Sequence, residues 1–162
     1  CIFKNYMQFC NMEKLNFPLY QFSLKSKENK TFIFDAVRKK WLVLTPEEWV
    51  RQHCIHFLIN QKAYPLGLIQ VEKKLKVNKR EKRYDIVAFN PQGSIALLVE
   101  CKAPSVPITQ DSFDQIAQYN FALNSDYLMV TNGLEHYFCQ MDFEQKKYIF
   151  LKDFPSFKSI MK

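Results

Sequence analysis

"LLVECKAP" occupies residues 97–104, and its reading decides the fold. Leu97, Leu98 and Val99 have the character of a buried strand, yet Glu100 and Lys102 follow at once. Side chains alternate faces along a strand, so Glu100 and Lys102 point one way and Cys101 the other. A carboxylate and an ammonium at the end of a core strand are costly to bury unless something pairs with them. The strand is therefore expected to end in a site.

Upstream, "RYDIVAF" (83–89) and "SIALLVECK" (94–102) are separated by the turn signal "NPQG". They read as an antiparallel hairpin whose second strand is central. With the turn centred near Pro91 and Gln92, residues 85 and 98 fall roughly opposite, which makes Asp85 a diagonal neighbour of Glu100. "LIQVEKKLKV" (68–77) alternates in part and reads as a further strand. The basic stretch "EKKLKVNKREKRY" (72–84) reads as a turn with its flanks, either a solvated loop or a phosphate contact.

Downstream, Pro104 and Pro107 keep "APSVPI" out of a sheet interior. "TQDSFDQIAQYNFALN" (109–124) is a helix with Phe113, Ile116, Ala117 and Asn120 on one side. "YLMVTNG" (127–133) is a short buried strand, so the intervening helix implies a parallel crossover. "EHYFCQMDFEQKKYIFL" closes the domain as a hairpin around "EQKK".

At the other end, 17–44 reads as short strands: "LYQFSL", the turn "KSKENK", "TFIFD", then "KKWLVL". In "TPEEWVRQHCIHFLINQKAY", Thr45 suits the N-cap, Pro46 the first helical position, and Glu48 a capping box with Thr45. Val50, Cys54, Phe57 and Gln61 share one face of that helix. The fold expected is α/β, an αβββαβ core on a mixed central sheet with extra N- and C-terminal β-strands. The domain boundaries expected are a disordered or non-native leader over 1–11, with Met12 as the natural start, then a β extension over 12–44 and the main domain over 45–162.

Composition agrees with one compact unit. The chain has 162 residues, 48% hydrophobic and 15% aromatic, which supports a real core and excludes wholesale disorder. No apolar run is long enough for a membrane span. The five cysteines are odd in number and form no C-x-x-C pair, which suggests reduced thiols in the cytoplasm. His53 and His56 have no second ligand pair at zinc-finger spacing and read as surface or core residues. The net charge of +7 suits an anionic partner such as nucleic acid.

Asp85, Glu100 and Lys102 thus converge. Adjacent carboxylates raise one another's pKa unless a cation sits between them, and hard oxygen ligands favour Mg²⁺ or Mn²⁺. D-x₁₄-E-C-K resembles the active-site motif of the PD-(D/E)XK nuclease superfamily. More specifically, "TPEEWVRQ", "RYDIVAF", "LLVECKAP" and "FDQIAQYN" resemble the N-terminal nuclease domain of type I restriction enzyme R subunits, over roughly residues 45–135.

The resemblance implies a restriction-endonuclease-like fold and Mg²⁺-dependent cleavage of nucleic acid, DNA rather than RNA. Asp85 and Glu100 would bind metal, with Lys102 catalytic beside them. Gln115 and Tyr119, the Q-x-x-x-Y element, would lie over the site and contact nucleotide and phosphate. The family's first-helix acid would be Glu47. With Val50 and Cys54 inward at about 100° per residue, Glu47 lies toward that face and Glu48 away from it. The alternative for Glu47 is a simple preference for the helix N-terminus. Arg51 is its expected partner and, with Lys79, Arg80 and Arg83, a nucleic-acid contact. R subunits carry an ATP-driven motor, but no G-x-x-x-x-G-K-[ST] occurs in these 162 residues. The expectation is a standalone nuclease-like domain that forms a homodimer or joins other restriction or repair subunits. The competing reading is an inactive nucleic-acid- or protein-binding module on the same fold.

Overall fold

The computed structural model of the chain describes residues 12–161, and the expected leader over 1–11 lies outside them. Three short strands come first: β1 (Leu24–Lys27), β2 (Lys30–Asp35) and β3 (Lys40–Val43). They form their own antiparallel sheet in the order β1-β2-β3. The β1–β2 turn is only Glu28 and Asn29, both at positive φ, the conformation that two-residue hairpins require. The expected turn "KSKENK" is therefore mostly strand.

Helix α1 (Pro46–His56) begins where the caps predict: Thr45 accepts from the Glu48 amide at 3.1 Å and Pro46 opens the first turn. A π-helical turn over Phe57–Gln61 continues it. His53 is buried, with Nδ1 2.9 Å from the Trp49 carbonyl oxygen, and burial pushes its pKa down to about 4. It is a core histidine among aromatic rings, Trp49 at 4.2 Å and Phe22 at 4.7 Å.

The main sheet then builds in sequence: β4 (Ile69–Val77), β5 (Arg80–Phe89) and β6 (Ile95–Cys101), then α2 (Gln110–Leu123), β7 (Tyr127–Thr131), β8 (His136–Asp142) and β9 (Lys147–Phe150). A short α3 (Phe157–Ile160) follows. The six strands lie in chain order, β4-β5-β6-β7-β8-β9. Only β6 and β7 run parallel, joined through α2, and the other pairs are antiparallel. This is the expected αβββαβ core on a mixed sheet, with the C-terminal hairpin extending that sheet and the N-terminal strands forming a second one.

The segment 72–84 is not a loop. It is a ribbon of β4 and β5 turning through Asn78 and Lys79 alone, both at positive φ. Asn tolerates that region; Val77 and Tyr84 pack toward α2, and the lysines and arginines keep the rest of the ribbon in solvent.

Each face of the main sheet buries a separate cluster. Val50, Cys54 and Leu58 of the α1 segment pack on Ile86, Leu97, Val99 and Met129. Phe113, Ile116 and Ala117 of α2 pack on Val87, Leu98, Leu128 and Val130, so the predicted inward face of α2 is the observed one. Burying each such aliphatic side chain contributes about 1.5–3 kcal/mol.

Between β7 and β8 the chain passes close under α1. Gly133 has φ +87°, and a Cβ there would lie 2.7 Å from Leu15 Cδ2 and 3.0 Å from Val50 Cγ2. Gly93 has nearly the same φ, +86°, but open space around it. Gly133→Ala is expected to cost about 2–4 kcal/mol, strain plus overpacking, whereas Gly93→Ala costs about 1 kcal/mol of strain alone. Urea denaturation midpoints of the two variants measure the difference, and equal losses would contradict the close approach.

Candidate active site

The end of β6 meets β5 in a register that brings acids together. Ile86 pairs with Val99 and Val87 with Leu98, after a bulge between Ala88 and Phe89. Continued by one residue, that register sets Asp85 directly across from Glu100 rather than diagonal to it; a turn centred on Gln92 supplies one residue of the shift and the bulge the other.

Asp85 also sits where the β4–β5 ribbon changes face. Ile86 packs in the α1 cluster and Tyr84, two residues earlier, in the α2 cluster. Strict alternation would put both on one side. The break coincides with Glu72 at φ +53°, which faces Asp85 between the paired residues Val71–Ile86 and Lys73–Tyr84. A non-glycine residue at positive φ is uncommon within a strand. It turns Lys82 and Tyr84 toward α2 and leaves the Asp85 side chain at the rim.

Asp85 is held on both oxygens. Oδ2 accepts from the Cys101 amide at 2.8 Å and Oδ1 from Arg51 Nη2 at 2.7 Å. Glu100 is 8% exposed, shares a hydrogen bond with Asp85 and accepts Lys82 Nζ at 3.0 Å on Oε1. Burial, then the hydrogen bond and charge of Asp85, push the Glu100 carboxyl up to about 7, against the opposing pull of Lys82. Lys82 itself lies over two rings, 4.1 Å from the centroid of Tyr119 and 4.8 Å from that of Tyr84. Alternation from Ile86 places Lys82 on the wrong face, and no motif marks it.

Beside this pair lies an open cavity of about 800 Å³ between the ribbon, the end of β6 and α2. Its lining includes Glu100, Lys102, Gln115, Tyr119, Arg80 and Arg83 as well as Lys82. Glu100 and Lys102 of the β6 end, the Q-x-x-x-Y pair and two of the named arginines are thus gathered on one space, while Asp85 stands behind Glu100 and does not line it. Lys79 is exposed at the ribbon tip and does not line it. The Cys101 side chain turns the other way into the core, with its sulfur 3.8 Å from that of Cys54.

Helix α1 departs from expectation. Glu48 is 6% exposed, while the Glu47 side chain is 49% exposed, the reverse of the orientation inferred from Val50 and Cys54. That inference assumed one buried face. In the fold, the N-terminal sheet covers the other face, so α1 is buried on two sides. Glu48 does not close a capping box: its carboxylate pairs with Arg38 and Arg51 and accepts from Gln52 Nε2 at 2.9 Å. Gln52 also donates to fully buried Asp35 at 2.8 Å, which accepts two backbone amides and Arg38 Nε besides.

Arg51 is likewise corrected. It does pair with Glu47, at 2.8 Å, but it is only 5% exposed and is shared among Glu47, Glu48 and Asp85. Burial alone would lower its pKa, yet the charges of Asp85 and Glu48 hold it above the ordinary value. So enclosed, it is a strut between α1 and β5. Its guanidinium also stands between Glu47 and Asp85. Among the described residues, no group of three or more His, Cys, Asp or Glu is arranged to hold a metal ion. Glu47 therefore stands apart from Asp85 and Glu100, with the Arg51 guanidinium between them. No helix of the described residues is long and apolar enough to cross a membrane.

A search of curated proteins gives no match. Among solved structures, the chain is similar to a fragment of a putative HsdR subunit of a type I restriction enzyme from Vibrio vulnificus YJ016. That likeness has a TM-score of 0.52 and 19% identity, and it covers 73% of this chain but 25% of the other. At that identity it supports the fold alone. A family model described as the type I restriction enzyme R protein N terminus matches residues 46–155, more than half of the chain and the whole of the main sheet. The chain belongs to the family of type I restriction enzyme R protein N-terminal domains.

Proposed function

We propose that the chain is a metal-dependent nuclease domain that hydrolyses DNA phosphodiester bonds within a restriction system. The observation that carries this reading is the Asp85–Glu100 pair, whose buried Glu100 opens beside Lys102 onto a cavity rimmed by Arg80 and Arg83. A buried Glu100 that keeps its proton to near neutrality beside the Asp85 carboxylate suits a divalent cation in the proton's place. Oxygen donors favour Mg²⁺ or Mn²⁺, which Asp85 and Glu100 would hold with the carbonyl of Cys101 as a further ligand. When bound, such an ion polarises a phosphate oxygen and makes water acidic enough to attack.

The chain's own groups do the rest. Lys102 would donate to the phosphate oxygens and meet the charge that grows in the transition state. Gln115 and Tyr119, one helical turn apart on α2, would align the nucleotide over the carboxylates. Arg80, Arg83 and the displaced Lys82 would hold flanking phosphates, which gives strong salt dependence and little sequence preference. Arg51 would fix Asp85 from behind. The setting consistent with the reduced thiols is the cytoplasm, and the partners would be DNA and other subunits of a restriction or repair assembly, or a second copy of the chain.

Plasmid DNA incubated in Mg²⁺ or Mn²⁺ should be cleaved by the natural chain, with a loss of at least about 100-fold in Lys102→Ala and Asp85→Asn and none remaining in chelator. Equal cleavage by Lys102→Ala would end the assignment. Metal-independent binding by both proteins without cleavage would replace it with a nucleic-acid-binding module.

Stability provides a second measurement. Folded Glu100 keeps its proton to about pH 7, against an ordinary value of 4.5. Between those values the folded state binds more protons than the unfolded one, so this contribution is full below pH 4.5 and is lost as pH rises through 7. The loss is about 2 kcal/mol, less than the full shift because solvent at the cavity mouth screens part of it. Urea midpoints at pH 5 and pH 8 should show it in the natural chain and not in Glu100→Gln. Added Mg²⁺ should recover stability at pH 8 only where Glu100 is present.

A further inference from the structure

The N-terminal sheet lies outside the cavity, and its two faces differ in character. Ile33 and Asp35 point inward, both fully buried, and Asp35 is tied to α1 through Gln52. The register puts the alternate residues on the opposite, outward face: Lys25 across from Phe32, Lys27 across from Lys30, and Phe34 across from Trp41. This face is turned away from α1. Phe34 and Trp41 are 36% and 38% exposed, with ring centroids 5.4 Å apart.

Exposed rings in a row are expensive to leave in water unless something covers them. What flanks them is cationic. Three lysines share the face, and the nearest acid, Glu28 in the β1–β2 turn, is within 3.7 Å of Lys27. Lys25 Nζ sits 4.2 Å from the Trp41 ring centroid and 6.0 Å from that of Phe32. The open side of the Trp41 ring thus already holds a cation against its π face.

We infer that the outward face of β1–β3 binds single-stranded nucleic acid, with unpaired bases stacking on Phe34 and Trp41 and the backbone following Lys25, Lys27 and Lys30. Aromatic rings alternating with ammonium groups on a short sheet are what such a strand requires. Bases of any identity offer a π face, and each phosphate needs one nearby cation. An arriving base would take the place of Lys25 over Trp41 and free that ammonium for a phosphate. A duplex cannot use the rings, because its bases are already stacked. The inference goes beyond cleavage at the cavity and does not depend on it.

The test uses the whole chain with a fluorescent oligothymidylate of about 20 nucleotides and a blunt duplex of equal length, in chelator so that nothing is cut. Anisotropy should report tighter binding of the single strand than of the duplex, with quenching of tryptophan fluorescence. Phe34→Ala/Trp41→Ala should bind the single strand about tenfold more weakly or worse, while Leu19→Ala, at a 94% exposed apolar position elsewhere, should bind as the natural chain does. Should the double variant unfold, Lys25→Glu/Lys27→Glu addresses the same face by charge alone and should weaken binding comparably. Undiminished binding by these variants overturns the inference, as does failure of the natural chain to bind at low salt. Self-association that disappears in the double variant, without oligonucleotide binding, also overturns it and assigns the face to a protein.

Discussion

The Arg51 guanidinium is the constraint on which the arrangement of acids depends. It is nearly inaccessible to water, and it contacts Glu47, Glu48 and Asp85 together. Withdrawing an arginine from water is costly, and a buried ion pair often stabilises a fold no better than apolar residues of the same volume. Its value here is positional. It joins the first turns of α1 to the residue of β5 opposite the break in the β4 ladder, and so fixes the Asp85 side chain while leaving Glu100 to face the cavity. Without that charge, three carboxylates would repel one another at the mouth of the site.

The distribution of charge follows from that fixation. Asp85 receives permanent donors, a guanidinium and a backbone amide. Among the described residues Glu100 receives only the Lys82 cation, which burial and Asp85 outweigh, so its proton is held until near neutrality. The two acids of the pair are therefore unequal: one is anchored and the other is waiting for a partner. Lys82 rests on the rings of Tyr84 and Tyr119, within reach of Glu100 yet with nothing fixing it there but that carboxylate and the π faces.

Much of this was legible in the sequence, and the parts that were not share a physical reason. Helix α2 packs against the sheet on one side only, so periodicity identifies Phe113, Ile116, Ala117 and Asn120 as its buried face, and the family resemblance points to Gln115 and Tyr119, which line the cavity. The α1 periodicity misled because the helix is covered on two sides, and Glu48 faces Arg38 from the second sheet. Asp85 and Glu100 were recognised as neighbours, but the register between them depends on a bulge that "NPQG" does not announce. Lys82 was missed because a single residue at positive φ, Glu72, reverses the alternation beyond it. Local rules fail where a second layer or one backbone irregularity intervenes, and both occur at this site.

The second layer also extends what the family match describes. Residues 46–155 carry the resemblance to restriction R-subunit N-terminal domains, and β1–β3 precede that span entirely. Yet Arg38, from the β2–β3 connection, reaches Glu72 at 3.0 Å and pairs with Glu48. Arg51 also pairs with Glu48, and it is the residue that holds Asp85. Charge is thus handed from the N-terminal sheet through the first helix to the strand that bears the site. The sheet is wired into the acid network by its inner face, while its outer face keeps aromatic rings and lysines in solvent. A strand of nucleic acid resting on that outer face would lie on the layer whose inner side is joined, through Arg38, Glu48 and Arg51, to Asp85.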